Sequence, residues 1–381
     1  MVDRVADALL LRAWALRVLS GGWLTPPDAD TGTWRLFLRA ERCAVALSTR
    51  AEGEAPGLLH AAATIELQRI LSARAQVEAL GRAVAEKGRR VLVLKGGVMA
   101  LSSPAAVDLV DVDVLAEPGA AAEIAAHLDA HGYVSHGPPA ANHLSQRQQP
   151  FGVHVEVHHR LGELRDDDVW GRARPMPGRP GLWKPAPPDL TWHALVHSAV
   201  THPFRRGGLR DLLLIAWADD QCTPDERADL GSRLGVAPRR DLLREVLRLA
   251  RDLRDERAPT DLFRREAAAH YVFCLGRPVS GEKGFRAHIV RSVYSRLDGP
   301  EGRRDYWKSV WEGVSDSPWA TLAGLEAAWS LGGRVLRRIL RLARLPLVEV
   351  MAAPIARRAT RLGRRHSASE ARTLDIRSGT P

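Results

Sequence analysis

Lysine is nearly absent from this chain. Of 55 basic residues only five are lysines, Lys87, Lys95, Lys184, Lys283 and Lys308, and the rest are arginines. With 32 Gly and 24 Pro, that imbalance fits a GC-rich coding bias, which turns surface lysine into arginine for no functional reason. A lysine that persists at an apolar strand-to-loop junction is therefore informative, and Lys95 sits at one. Cysteine is scarce as well. Cys43, Cys222 and Cys274 lie far apart and are odd in number, which argues against a disulfide framework or a CxxC zinc site. No uninterrupted apolar stretch approaches the ~18 residues that a membrane span needs. The first helical stretch sets Asp3, Arg4, Asp7, Arg12 and Arg17 among its leucines, so it reads as an amphipathic helix and not as a signal peptide. The expectation is a cytoplasmic protein.

What is present is a globular composition: 381 residues, 45% hydrophobic and 26% charged, with a formal net charge of +10. That length suggests two or three domains with ample material for a core. Residues 1–57 read as an N-terminal helical region broken by Gly21-Gly22 and Thr25-Pro26-Pro27. Residues 60–87 carry apolar side chains at helical spacing without a proline, one long helix with Gly88 as its stop. The character then changes. Val91-Leu92-Val93-Leu94 is a short buried strand, Lys95-Gly96-Gly97 a turn, and Val98 begins a helix. Residues 109–115 form a second strand, 118–131 a helix, and 152–159 a strand with valines at 153, 155 and 157. An α/β core thus spans 58–165. A proline-rich linker covers 166–188, and a helical domain covers 189–300, with helices near 189–220, 224–257 and 259–275. A basic helical region fills 301–381, with helices near 304–313 and 318–345 and a disordered tail.

The chemistry concentrates in two strands. In Val110-Asp111-Val112-Asp113-Val114, side chains two apart share a face, so the aspartates point together and the valines point to the core. Two like charges converging on an apolar strand become favourable when a cation lies between them, and hard oxygen ligands select Mg²⁺ or Mn²⁺. Val153-His154-Val155-Glu156-Val157-His158 repeats the alternation. Set beside the first strand, it lets Glu156 complete a three-carboxylate metal site able to clamp an in-line displacement at phosphorus. Upstream, Lys95, Gly96 and Gly97 offer a compact positive charge and close backbone approach for phosphate oxygens at a helix start. Bland alternatives accompany each. Asp111 and Asp113 could face solvent on an edge strand, and His154-x-Glu156-x-His158 is also a zinc pattern. His193 and His197, one helical turn apart, are expected to be packed or hydrogen-bonded.

Taken together, the segments Leu94-Lys95-Gly96, Asp111-Val112-Asp113-Val114-Leu115, Gly132-Tyr133 and Val155-Glu156-Val157-His158 resemble the DNA polymerase β-like nucleotidyltransferases. They are most similar to the bacterial group described as uncharacterised nucleotidyltransferase family proteins, with its LKG, DIDLLV, GY and VELHW segments. The helical stretch 190–218, with His193, His197 and Leu209-Arg210, is similar to that family's continuation. The resemblance implies an α+β fold: a small mixed-sheet nucleotidyltransferase core embedded in mostly helical N- and C-terminal regions. It also implies an enzyme that transfers a nucleoside monophosphate from an NTP to an acceptor hydroxyl and releases pyrophosphate. Lys95, Gly96 and Gly97 would hold the triphosphate. Asp111, Asp113 and Glu156 would be the catalytic, Mg²⁺- or Mn²⁺-holding carboxylates, with His158 behind them. The acceptor, whether small molecule, peptide, protein or RNA end, is left open.

Three positions depart from the pattern. Where the family carries an arginine three or four residues before the first aspartate, this chain has Val107 and Asp108. Ser103-Pro104 keeps only the proline of an aromatic-proline step, and His159 stands in place of tryptophan. Asp108 is thus expected to add negative charge beside the nucleotide. The lost arginine and Asp108 together motivate an alternative in which the chain is a degenerate nucleotide- or partner-binding module. A further alternative is an RNA-modifying, toxin-like enzyme, suggested by the ten arginines of residues 333–365, whose helix face could equally meet nucleic acid or an anionic surface.

Overall fold

The computed structural model describes residues 2–22, 25–51, 57–103, 107–136, 143–161, 166–201, 206–237, 239–257, 260–275, 292–294, 296–298, 304 and 352–362. The chain divides into two compact units, residues 10–262 and residues 1–9 with 263–381.

Four helices come first: α1 (Val2–Leu19), α2 (Thr31–Glu41), α3 (Ala44–Ser48) and α4 (Gly57–Glu86). Then follow β1 (Val91–Val93), α5 (Lys95–Ser102), β2 (Asp111–Ala116), α6 (Ala121–Ala130), β3 (Val134–His136), β4 (Gln146–Gln148) and β5 (His154–His158). After these come α7 (Asp166–Arg172), β6 (Arg174–Pro175), β7 (Leu182–Lys184) and α8 (Pro187–Val196), which runs into a π-helical turn, His197–Thr201. The helices α9 (Leu209–Asp220), α10 (Pro224–Val236) and α11 (Arg240–Arg254) close the 10–262 unit. The other unit holds α12 (Arg264–Leu275) and a helix over residues 352–362. This is an α+β fold, a mixed sheet between helical flanks.

The seven strands form one sheet in the order β3-β4-β5-β2-β1-β7-β6. Strand β2 is antiparallel to β1, with Val91 opposite Ala116, and parallel to β5, with Asp113 opposite Glu156. Alternation decides what each face meets. Val112, Val114, Val155 and Val157 enter a core shared with Ile70, Val77 and Leu80 of α4 and Leu128 of α6. Each such side chain, fully buried, stabilises the fold by about 1.5–3 kcal/mol. On the opposite face Leu92, Leu94 and Leu115 pack with Leu161 and with Val169 of α7. Asp111 and Asp113 lie on that second face, where the apolar cover of α7 gives way to α8 and α9.

Several local expectations change. Lys95-Gly96-Gly97 is the first turn of α5 and not a turn preceding it; Gly97 N–H already bonds to the Leu94 carbonyl at 3.0 Å. Residues 166–188 hold α7, β6 and β7, and β7 pairs in parallel with β1, Leu182 beside Val91. The expected helix over 189–220 is divided by the π-helical turn, and that over 224–257 into α10 and α11. Helix α10 starts at residue 224 because Thr223 accepts from Glu226 N–H while the Glu226 side chain accepts from Thr223 N–H, a capping box ahead of Pro224. The helices expected near 304–313 and 318–345, apart from position 304, and the tail after 362 lie outside the described residues. So does most of the arginine-rich stretch 333–365.

Candidate active site

Strand pairing assembles the centre of the site. Because β2 and β5 run parallel in the register Asp113–Glu156, the two carboxylates stand side by side on adjacent strands. His158, two residues further along β5, projects from the same face as Glu156. Its Nε2 lies 2.9 Å from Asp113 Oδ1 and 3.7 Å from Glu156 Oε2. One ligand atom each from Asp113, Glu156 and His158 all fall within 4.8 Å of one another, a spacing that suits a metal ion. Asp111, opposite His154 and less buried than Asp113, lines the same pocket but is not one of that cluster. The structure therefore draws His158 into the group that the sequence pattern assigned to Asp111, Asp113 and Glu156.

Lys95 enters from the other side. Its Nζ lies 3.1 Å from Asp113 Oδ2 and 3.3 Å from His197 Nε2, and its side chain is almost wholly buried. Its backbone is unusual. Within Lys95-Gly96-Gly97 the left-handed residue is the lysine, at φ 46°, and neither glycine has positive φ. A non-glycine residue in that region carries strain of about 1–2 kcal/mol. The glycines answer a different need. A Cβ on Gly96 would meet Leu109 Cδ2 at 2.6 Å, and one on Gly97 would meet Val93 Cγ1 at 2.8 Å. They let α5 press against β1 and the segment leading into β2.

These contacts separate the two carboxylates electrostatically. Burial pushes the Asp113 carboxyl up, but Lys95, the His158 hydrogen bond and the charges of His158 and His197 outweigh it and hold the group well below its usual range. A carboxylate held ionised only accepts, so His158 Nε2 is the donor in that bond; its Nδ1 is enclosed without a partner. Glu156 goes the other way. Burial and then the Asp113 charge raise it, and an amide donated by Gln146 offsets part of the effect.

The pocket around these groups measures about 270 Å³. Its remaining wall comes from residues that periodicity alone does not single out: His143 and Gln146 ahead of β5, His197 in the π-helical turn, and Arg210 and Asp211 at the start of α9. A π-helical turn is rare and occurs often at functional sites, but nothing in the run 197–201 announces it. Arg210 is buried, and donates from Nε to the Asp108 carbonyl at 2.7 Å and from Nη1 to Asp211 Oδ1 at 3.1 Å.

Asp108 does not add charge to the pocket. It is fully buried, and its carboxylate accepts from Arg42 Nε at 2.7 Å and from Arg69 Nη1 at 3.0 Å. Those partners lie far away in sequence, on the residue that caps α2 and on α4, which is why the local motif suggested a bare anion.

The model of a family described as uncharacterised nucleotidyltransferase matches residues 46–255, more than half of the chain. No curated protein and no solved structure matches.

Proposed function

This chain belongs to the uncharacterised nucleotidyltransferase family, and from that premise we propose that its pocket moves a nucleoside monophosphate from an NTP to an acceptor hydroxyl and releases pyrophosphate. The observation that carries this is the in-register pair Asp113 and Glu156 on parallel strands, facing Lys95 at the start of a glycine-opened helix. The donor set fits a divalent ion, with Asp113, Glu156 and His158 close enough to share one and Asp111 at the rim. Oxygen donors suit Mg²⁺ and Mn²⁺, and His158 joins them as a ligand, favouring Mn²⁺, only when Nε2 gives up the proton it donates to Asp113. Such an ion, when bound, supplies charge neutralisation at the reacting phosphate.

The residues then divide the work. Lys95 and the first turn of α5 receive the phosphates. Asp113, held ionised, keeps its negative charge through the reaction and is a poor proton acceptor. Glu156, raised in the metal-free pocket by burial and by Asp113, is the one of the two carboxylates better able to take a proton. It takes the proton from the acceptor hydroxyl as the new O–Pα bond forms and the bond from Pα to the bridging oxygen breaks, and pyrophosphate leaves. The motives for a module without catalysis were the lost family arginine and the charge on Asp108; the second falls away, since Arg42 and Arg69 neutralise that charge outside the pocket.

The test is pyrophosphate release from each NTP by the full chain, with Mg²⁺ or Mn²⁺ and a panel of hydroxyl acceptors. Turnover by the wild type is expected to vanish in Asp113→Asn and Glu156→Gln. Equal release by wild type and both variants would sink the proposal.

A further inference from the structure

We infer that Arg210 is a second phosphate-gripping cation of this pocket, facing Lys95 across the start of α5 and selecting the polyphosphate tail of the nucleotide. The inference rests on the nucleotidyl-transfer reading and names the part of the site that holds the leaving pyrophosphate.

Four observations carry it. First, Arg210 is a charged side chain only 8% exposed, held at the pocket by an ion pair with the equally buried Asp211 at 3.1 Å. Second, two of its nitrogens are committed within the protein, Nε to the Asp108 carbonyl and Nη1 to Asp211, which together fix the plane of the group. Nη2 makes no such bond among the described residues and lies 3.6 Å from the Cβ position of Gly96, on the pocket wall. Third, the pocket mixes charges of both signs. Lys95 and Arg210 stand among its carboxylates, Lys95 paired with Asp113 and Arg210 with Asp211, and a phosphate chain is drawn to these two cations and repelled by the acids. A planar guanidinium with a free edge suits phosphate oxygens. Fourth, the base of α9 is held in place. Leu209 N–H donates to Glu41 Oε2 at 2.8 Å, and Glu41 accepts from the buried Arg12 at 2.7 Å. Arg12 is tied in turn to Asp261 at 2.9 Å. Arg210 therefore starts from a fixed backbone.

The experiment uses the full chain with Mg²⁺. ATP, GTP, CTP, UTP and inorganic pyrophosphate are titrated calorimetrically into wild type, Arg210→Met and Arg210→Lys, with the monophosphate of whichever nucleotide binds and a thermal melt of each protein. For Arg210→Met the expected result is a loss of about 10–100-fold in affinity for the triphosphate and for pyrophosphate. Affinity for the monophosphate should stay within about threefold. Arg210→Lys should fall between, because a point charge cannot keep the Asp108 bond and reach Gly96 together. If Arg210→Met fails to melt cooperatively, Arg210→Lys decides. Wild-type affinity for the triphosphate in both variants would overturn the inference and leave nucleotidyl transfer standing. Equal weakening of mono- and triphosphate in a folded variant would also overturn it, by showing that Arg210 only shapes α9. No binding of any NTP or of pyrophosphate by wild type would overturn the underlying reading itself.

Discussion

Lys95 Nζ lies 3.1 Å from Asp113 Oδ2, and this ion pair joins a strained helix start to the middle of a strand. A glycine would occupy the φ of 46° at Lys95 without strain. That a lysine stands there instead indicates that its charge, and not its conformation, is what the position requires.

The strain has a measurable sign. Lys95→Gly and Lys95→Ala both lose the ammonium, so both should lose nucleotide turnover. They should differ in stability, with the glycine variant more stable than the alanine by about 1 kcal/mol. Urea denaturation of the pair checks this, and an alanine variant as stable as the glycine would mean that the backbone relaxes at Lys95.

Glu66 of α4 gives a pH signature separate from the pocket. It is buried, and its carboxylate accepts from Val45 N–H at 2.9 Å at the start of α3. Burial, assisted by the Asp108 charge and opposed by backbone hydrogen bonds and Arg42, raises its pKa from 4.5 to about 7. The folded state thus favours the protonated acid. The stability this contributes is fully present below about pH 4.5 and is lost as pH rises through about 7. Glu66→Gln stays neutral throughout. It should exceed wild type in stability above pH 7 by on the order of 3 kcal/mol, with the gap closing toward pH 4.5. Denaturant titrations at pH 5 and pH 8 make the comparison.

Asp108→Asn separates a structural anion from an inhibitory one. The variant leaves Arg42 and Arg69 with a weakened acceptor and should lose about 2 kcal/mol of stability. Nucleotide affinity should not rise, since the wild-type charge is already neutralised outside the pocket. Tighter NTP binding by calorimetry would show that Asp108 does repel the substrate.

Gly96→Ala tests why the glycines are there. Its Cβ would fall 2.6 Å from Leu109 Cδ2, so the leucine or α5 must move, at a cost of about 1–3 kcal/mol. Combined with Leu109→Ala, which removes the clashing methyl but opens a cavity of its own, the stability loss should be smaller than the sum of the two single losses. Additive losses in the double variant would place the effect elsewhere.

What was legible in the sequence is what depends on local periodicity. Valine alternating with acids identified β2 and β5 and put Asp113 and Glu156 on their polar faces. Parallel pairing in the right register was a condition that no single strand could reveal. The other wall was hidden for the same reason. His197, Arg210 and Asp211 belong to helices whose spacing reads as ordinary packing, and only the tertiary arrangement turns them toward the carboxylates. Asp108 was misread because charge was counted along the chain, while its partners Arg42 and Arg69 approach through space. Among the described residues no helix is long and apolar enough to cross a membrane, as the hydropathy pattern indicated.

The strand order carries a consequence for synthesis. Strand β2 can pair with β5 once residue 158 has emerged from the ribosome, whereas β1 waits for its second neighbour until residue 182. Domains tend to form as the chain elongates. Asp113, Glu156 and His158 can therefore be brought together in a nascent chain before the segment bearing His197 and Arg210 has emerged. The wall holding Lys95 and the carboxylates of β2 and β5 would be built first, and the wall holding His197, Arg210 and Asp211 would close onto it last.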